Sequence, residues 1–227
     1  MKRSISIAMA IILLLLLNSC SNESKMSRIV KIGIIDSCLS NKMVQELDIK
    51  KYYKISDDVT NNNLTHGSII AKIIQQEIEN CDMYYYSIYD ESCRGTIESV
   101  TSAITKCIEE EVDIISMSFA TLKDDASIKD AIELAQKKGI IIVASCINLS
   151  DKKCYPAMYD NVISVTDGFN KNATINLKGK IVQVKLCGEK MKKSEVSFLT
   201  AYVSGVIARR ISEETTIDVI LSNTNFF

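Results

Sequence analysis

Tryptophan is missing altogether, histidine and proline occur once each, and glycine only eight times in a chain of 227 residues. A lone histidine cannot complete a Cys/His zinc cluster, and no cysteine pair has the CxxC spacing of a structural zinc site, so no metal is expected. Scarce glycine leaves few positions that take positive φ cheaply. An excess of one charge is also lacking: the formal net charge is −1, and Lys and Arg are scattered along the chain. Without a basic field to hold a phosphate backbone, no nucleic acid is expected as a partner. No hydrophobic run is long enough for a comfortable membrane span: Ile5–Leu17 covers thirteen residues, against the roughly 20 that such a helix needs. Internal repeats, low-complexity tracts and a linker to a second domain are absent as well.

What is present begins with an export signal. Lys2 and Arg3 precede the apolar run, which breaks into "NSC". The stretch "LLNSC" resembles a bacterial lipoprotein signal, which implies that Cys20 is lipidated and becomes the first mature residue. An ordinary signal peptide or an uncleaved anchor is the alternative, and each places the remainder outside the cytoplasmic membrane. The expected organisation is therefore a signal peptide at 1–19, a lipidated cysteine with a polar tether at 20–28, and one folded domain at 29–227. Eight cysteines become seven once Cys20 is set aside, and an odd number cannot all pair internally. Cys146 and Cys154 flank a short loop and are candidates for a bridge, although spacing alone does not fix the distance between their Cα atoms.

From Ile29 onward, apolar runs of strand length alternate with helical patterns. "IVKIGII", "MYYYSIY", "VDIISMSF" and "IIIVAS" read as strands, and 68–78, 97–111 and 127–138 as helices. "VISVT" and "IVQVKL" read as later strands separated by a polar, hairpin-like stretch around Gly179, and a last helix runs from about Phe198 to Arg210. Strand–helix alternation predicts a doubly wound α/β fold with a mostly parallel sheet and helices on both faces. Thr65 is the expected cap of a helix whose stripe is Ile69, Ile70, Ile73, Ile74 and Ile78.

Three polar residues stand out in this frame. Asp36 ends a buried strand, where ligands of parallel sheets bind, although strand-end acids also serve as caps or metal ligands. His66 opens an amphipathic helix, where the macrodipole disfavours positive charge and keeps the imidazole able to accept a proton. Ser197 sits where a loop becomes a helix; its default role is an N-cap, and its other use is as a nucleophile beside a base.

The stretches carrying these residues resemble the subtilisin-like serine peptidases. "KIGIIDS" is similar to that family's aspartate strand, "THGSIIAKI" to "HGTHVAG", and "EVSFLTAYVSGVIA" to "GTSMASPHVAGAAA". The order Asp, His, Ser is the subtilisin order, as established for that family. "IISMSFA" resembles the substrate strand "INMSLG", and "GIIIVASCIN…YPAMYDNVISV" resembles "GVVVVAAAGN…YPAxYxxVIAV"; together the five segments span about 29–210. The resemblance implies a subtilisin-like fold with Ser197 as nucleophile, His66 as base, Asp36 as its orienting carboxylate and Asn148 as side-chain donor of the oxyanion hole. It also implies substrate contacts at Ser116, Met117, Ser118, Phe119 and Ala120, with Ile147 and Cys154 at the pocket for the residue preceding the cut.

Departures shape the expected specificity. The glycines usual at Lys72, Cys38, Ile147 and Ala120 are gone, and Glu195-Val196 and Thr200-Ala201-Tyr202 flank the serine. Added side chains near the pocket predict a preference for small residues and poor general proteolysis. Only fifteen residues separate Cys20 from Asp36, leaving no expected room for the family's propeptide between them, and "DDVTNNN" at 57–63 reads as a solvated loop rather than a calcium site. The expected protein is a monomeric serine endopeptidase, needing no cofactor and anchored by lipid to the outer face of a bacterial membrane. Its expected substrates are exported peptides or proteins. The lost glycines leave open an alternative, a non-cleaving lipoprotein that binds peptides.

Overall fold

A computed structural model of the chain describes residues 28–55, 64–78, 80–89, 94–146, 154–167, 172–177, 180–185, 196–213, 215–216 and 219. The expected signal and Cys20, the 57–63 loop, Ile147 and Asn148 lie outside the described residues. Among those described, no helix is long and apolar enough to cross a membrane.

The chain runs β1 (Val30–Asp36), α1 (Asn41–Glu46), β2 (Ile49–Lys54), α2 (His66–Glu77), β3 (Cys81–Ser87), α3 (Ile97–Glu109) and β4 (Ile114–Met117). It continues through α4 (Ala126–Lys137), β5 (Ile141–Ser145), β6 (Ile163–Asp167), β7 (Asn172–Leu177), β8 (Lys180–Lys185) and α5 (Val196–Ser212). The strands form one sheet in the order β2-β3-β1-β4-β5-β6-β7-β8. β2 through β6 are parallel, and β7 and β8 add an antiparallel edge. The polar stretch expected between two late strands thus contributes a strand of its own, β7.

Both faces of the parallel sheet are covered, which explains why its central strands read as continuous apolar runs. Val30, Ile32 and Ile34 of β1 join Ile70, Ala71 and Ile74 of α2 and Leu199, Val203 and Ile207 of α5 in one core layer. Ile35 joins Ile104 and Cys107 of α3 and Ile128, Ile132 and Ala135 of α4 in the other. The apolar stripe of α2 is centred slightly off the predicted line: Ile70, Ala71, Ile74 and Ile78 are buried, whereas Ile69 and Ile73 are only half-buried.

Strand order changes direction at β1, which lies between β3 and β4. Such a reversal opens a crevice beyond the carboxyl ends of the two strands. Ile35 faces Met117 in the β1–β4 register, so the next residues, Asp36 and Ser118, stand side by side at the carboxyl ends of the two strands. Two long helices deliver their N-termini to this crevice. α2 and α5 are held together at Gly205, where an added Cβ would fall 2.6 Å from Glu77 Cβ and 3.2 Å from the Ile74 carbonyl oxygen. Arg209 clamps the far end of α2, with Nη1 donating to Glu77 Oε2 at 2.9 Å and to the Glu77 carbonyl at 3.2 Å.

Candidate active site

Asp36 is 1% exposed. Its Oδ1 accepts from the Ser37 backbone N–H at 2.7 Å and lies 2.7 Å from His66 Nδ1. A carboxylate at Nδ1 places the ring proton there and leaves the lone pair on Nε2. His66 is the first residue of α2, and Thr65 caps the helix by accepting from the Ser68 N–H, as predicted. The imidazole is 36% exposed, so part of the ring stays solvent-accessible while Nδ1 faces Asp36. Its ring stacks on Phe198, with centroids 5.8 Å apart and planes at 27°.

Ser197 is the second residue of α5 rather than its cap, because the helix begins at Val196. Its Oγ donates to the Ser118 carbonyl at 3.0 Å, and Ser118 Oγ donates back to the Ser197 carbonyl at 3.2 Å. This reciprocal pair locks the head of α5 to the end of β4. Below it, Thr200 Oγ1 lies 2.8 Å from Ser145 Oγ, and Ser204 Oγ lies 2.9 Å from Ser116 Oγ. Helix back-bonds complete the seam: Thr200 Oγ1 donates to the Val196 carbonyl, and Ser204 Oγ is 2.8 Å from the Thr200 carbonyl. A buried row of hydroxyls therefore seats α5 on β4 and β5 with its polar atoms satisfied.

The structure brings Asp36, His66 and Ser197 to one crevice, with Phe198 joining the last two. It narrows the predicted substrate segment. Ser116 and Met117 sit inside the sheet, between Ile34 and Ile35 of β1 and Val143 and Ala144 of β5. Their main-chain groups serve those strands, so they are not available to a peptide. Beyond the sheet, Ser118 is buried and Phe119 and Ala120 are half-buried. Thr121 is already taken, exchanging backbone hydrogen bonds with Tyr155 at 2.8 Å in each direction. Cys154 is buried next to that bridge. Lys72, where a glycine was expected to matter, is exposed on α2, so its side chain meets no packing constraint there.

Sequence reasoning missed the brace that holds Asp36 and His66. Ser37 Oγ accepts from the Gly67 N–H at 2.9 Å, and the Ser37 carbonyl accepts from Tyr85 Oη at 2.6 Å. Tyr85 is fully buried, and burial, followed by the nearby Asp36 charge, pushes its phenol well above the ordinary value. It therefore stays a donor. Gly67 is required by this packing: a Cβ would land on Tyr85 Oη and 2.5 Å from the Ser37 carbonyl oxygen. A signal existed in three consecutive tyrosines within a strand, since a buried phenol usually finds a hydrogen-bond partner.

The sequence model of the Subtilase family matches residues 27–218. The chain is 26% identical over 191 residues to the minor extracellular protease Epr of Bacillus subtilis (strain 168), covering 78% of this chain and 29% of that protein. It is 24% identical over 179 residues to subtilisin DY of Bacillus licheniformis, covering 70% and 64%. The chain thus spans less than two thirds of the length of these curated relatives. Among solved structures, the self-cleaved protease domain of PatA superposes with a TM-score of 0.62 at 20% identity, covering 82% of this chain and 83% of that one. A lanthipeptide protease superposes with a TM-score of 0.60 at 16% identity, covering 82% and 73%. The structural likeness shows a shared subtilisin-like fold, and the family match extends from before β1 to beyond α5: the chain belongs to the subtilase family.

Proposed function

We propose that the protein is a serine endopeptidase with Asp36, His66 and Ser197 as its triad. The observation that carries this reading is the 2.7 Å contact between the buried Asp36 and the Nδ1 of a half-exposed His66. It supports an imidazole with Nε2 as the basic atom, in a crevice where Ser197 heads the neighbouring helix. In the reaction, the Ser197 hydroxyl turns from the Ser118 carbonyl toward Nε2, gives up its proton and attacks the scissile carbonyl. Asp36 stabilises the imidazolium, which then protonates the leaving amine; water, deprotonated by His66, releases the acyl group. The Ser197 backbone N–H and the side-chain amide of Asn148 are assigned to the oxyanion. Loss of such a side-chain donor costs about 10²–10³-fold in rate, as measured on a subtilisin.

The main chain at Ser118–Ala120, beyond the carboxyl end of β4, is proposed to pair with an extended peptide by strand addition. Limited cleavage of exported peptides is the proposed task. Its support is the buried Cys154 beside the short Ser118–Ala120 segment, together with the likeness to a lanthipeptide protease and to prenylagaramide and patellamide maturation proteases. Attachment to the outer face of the membrane through lipid on Cys20 is proposed from "LLNSC".

The donation of the Ser197 proton to a backbone carbonyl favours a second reading, a non-cleaving peptide binder. Fluorophosphonate labelling of the purified protein separates the two. Labelling that is lost in Ser197→Ala and in His66→Ala is the expected result; a folded protein that takes no label would refute the enzyme and leave the binder.

A further inference from the structure

We infer that Cys146 and Cys154 are a reversible dithiol–disulfide couple that, when oxidised, ties the carboxyl end of β5 to the Cys154–Tyr155 segment, which pairs with Thr121 close to the Ser118 contact of Ser197. The two Sγ atoms lie 2.8 Å apart, well inside van der Waals contact. Forming the bond requires a closure of less than about 1 Å. Both cysteines stand on anchored backbone. Cys146 directly follows β5, and its N–H donates to the Val165 carbonyl of β6 at 2.7 Å. Cys154 is followed by Tyr155, whose N–H and carbonyl are both bonded to Thr121.

From Thr121 the connection to the site is short. Thr121 ends the Ser118–Ala120 segment, and Ser118 exchanges hydrogen bonds with Ser197. Oxidation therefore ties β5 covalently to Cys154, and hydrogen bonds carry the restraint on from Tyr155 to Thr121 and from Ser118 to the head of α5. The ring it closes has nine residues, and Asn148 is one of them. The consequence for turnover rests on the peptidase reading above; the couple itself does not.

Cys146 is half-buried and Cys154 fully so, which sets the order of exchange. The Cys146 thiolate attacks an external organic disulfide and expels one thiol, and the Cys154 thiolate then displaces the second. Two protein thiols lose two protons and two electrons, and the external disulfide is reduced to two thiols.

The test equilibrates the purified full chain in glutathione buffers of rising disulfide content, blocks free thiols and digests with trypsin without reduction. Cleavage after Lys138, Lys152 and Lys153 puts the two cysteines on separate peptides, 139–152 and 154–171, which stay joined only through a disulfide. The joined pair is expected to form and to revert on reduction. The oxidised form should melt about 5 °C higher, and reduction should lower kcat on a peptide substrate about tenfold with little change in KM. Cys146→Ser and Cys154→Ser should each abolish the dependence on glutathione. No joined pair at any ratio would overturn the inference, as would a joined pair with melting and turnover unchanged by redox state. A joined pair with its melting shift, in a protein that neither turns over substrate nor takes fluorophosphonate, supports the couple and sinks the peptidase reading alone.

Discussion

Gly67→Ala sets two physical effects against each other. In an open helix, replacing glycine by alanine gains about 1 kcal/mol of propensity. Here the new Cβ would fall on Tyr85 Oη, 2.5 Å from the Ser37 carbonyl oxygen and 3.1 Å from Tyr85 Cζ. The ring cannot easily withdraw, because it is fully buried and packed edge-on against Tyr52 with centroids 5.5 Å apart. Overpacking of this kind costs about 1–3 kcal/mol, and displacing the phenol from Ser37 adds the cost of a buried hydroxyl without its acceptor, again about 1–3 kcal/mol. The packing terms outweigh the propensity gain, so the substitution should destabilise by roughly 2–4 kcal/mol. At roughly 2–4 °C per kcal/mol for a chain of this size, the midpoint should fall by roughly 5–15 °C.

Tyr85→Phe isolates the colliding atom. Alone it removes the bond to Ser37 and should cost about 1–3 kcal/mol. Combined with Gly67→Ala it removes the atom that the new methyl strikes, so the double variant should be less destabilised than the sum by about 1 kcal/mol or more. Urea unfolding of the four proteins measures this coupling. Because the same brace fixes Ser37 between Asp36 and His66, Tyr85→Phe should also lower kcat about tenfold while leaving KM nearly unchanged. Strict additivity would refute the collision, and an unaltered kcat would reduce the brace to a structural contact.

Three further outcomes are expected. Asp36→Asn should lower kcat by about 10⁴-fold through the wrong ring tautomer, and stopped-flow labelling should show the loss in the acylation step. Lys72→Gly restores the family's residue at an exposed helical position, so it should cost about 1 kcal/mol in thermal unfolding and leave turnover unchanged; a gain in turnover would contradict the placement of Lys72. Stability should also fall in alkali, because burial, followed by the charges of Asp48 and Asp82, pushes the Cys81 thiol up to about 11, and burial also raises Cys107, Tyr85 and Tyr86. These groups hold protons in the native state that the unfolded chain releases, so stability is full below about pH 9 and declines toward pH 11. Melting points flat across that range would refute the shifts.

What could be read from the sequence follows from where each residue sits in the sheet. β1, β3, β4 and β5 are buried on both faces, so an uninterrupted apolar run suffices to announce them. β2 escaped because, among the described residues, it pairs only with β3, at the sheet edge, and carries Lys50, Lys51 and Lys54 on a half-exposed ladder. Such charges are what an edge strand uses to discourage further pairing, and they erase the apolar signal. α1 has six residues, too few for a helical period to repeat.

The same contrast runs through the site. Asp36, His66 and Ser197 each sit at the terminus of an element, and termini are marked locally, by a run that stops or a cap that starts. The brace is marked nowhere, because it depends on register. Ile34 stands opposite Tyr85 across β1 and β3, and only that alignment sends the middle tyrosine of "YYY" under Gly67 while Tyr84 and Tyr86 turn to the opposite core layer. A shift of one residue would exchange the faces and leave the Ser37 carbonyl without Tyr85 as its donor. The position of His66 is thus set by a pairing between residues some fifty apart in the chain, Ser37 and Tyr85, as much as by the helix it begins. That is why changes at Tyr85, which touches neither His66 Nε2 nor Ser197 in the proposed reaction, are expected to act on kcat.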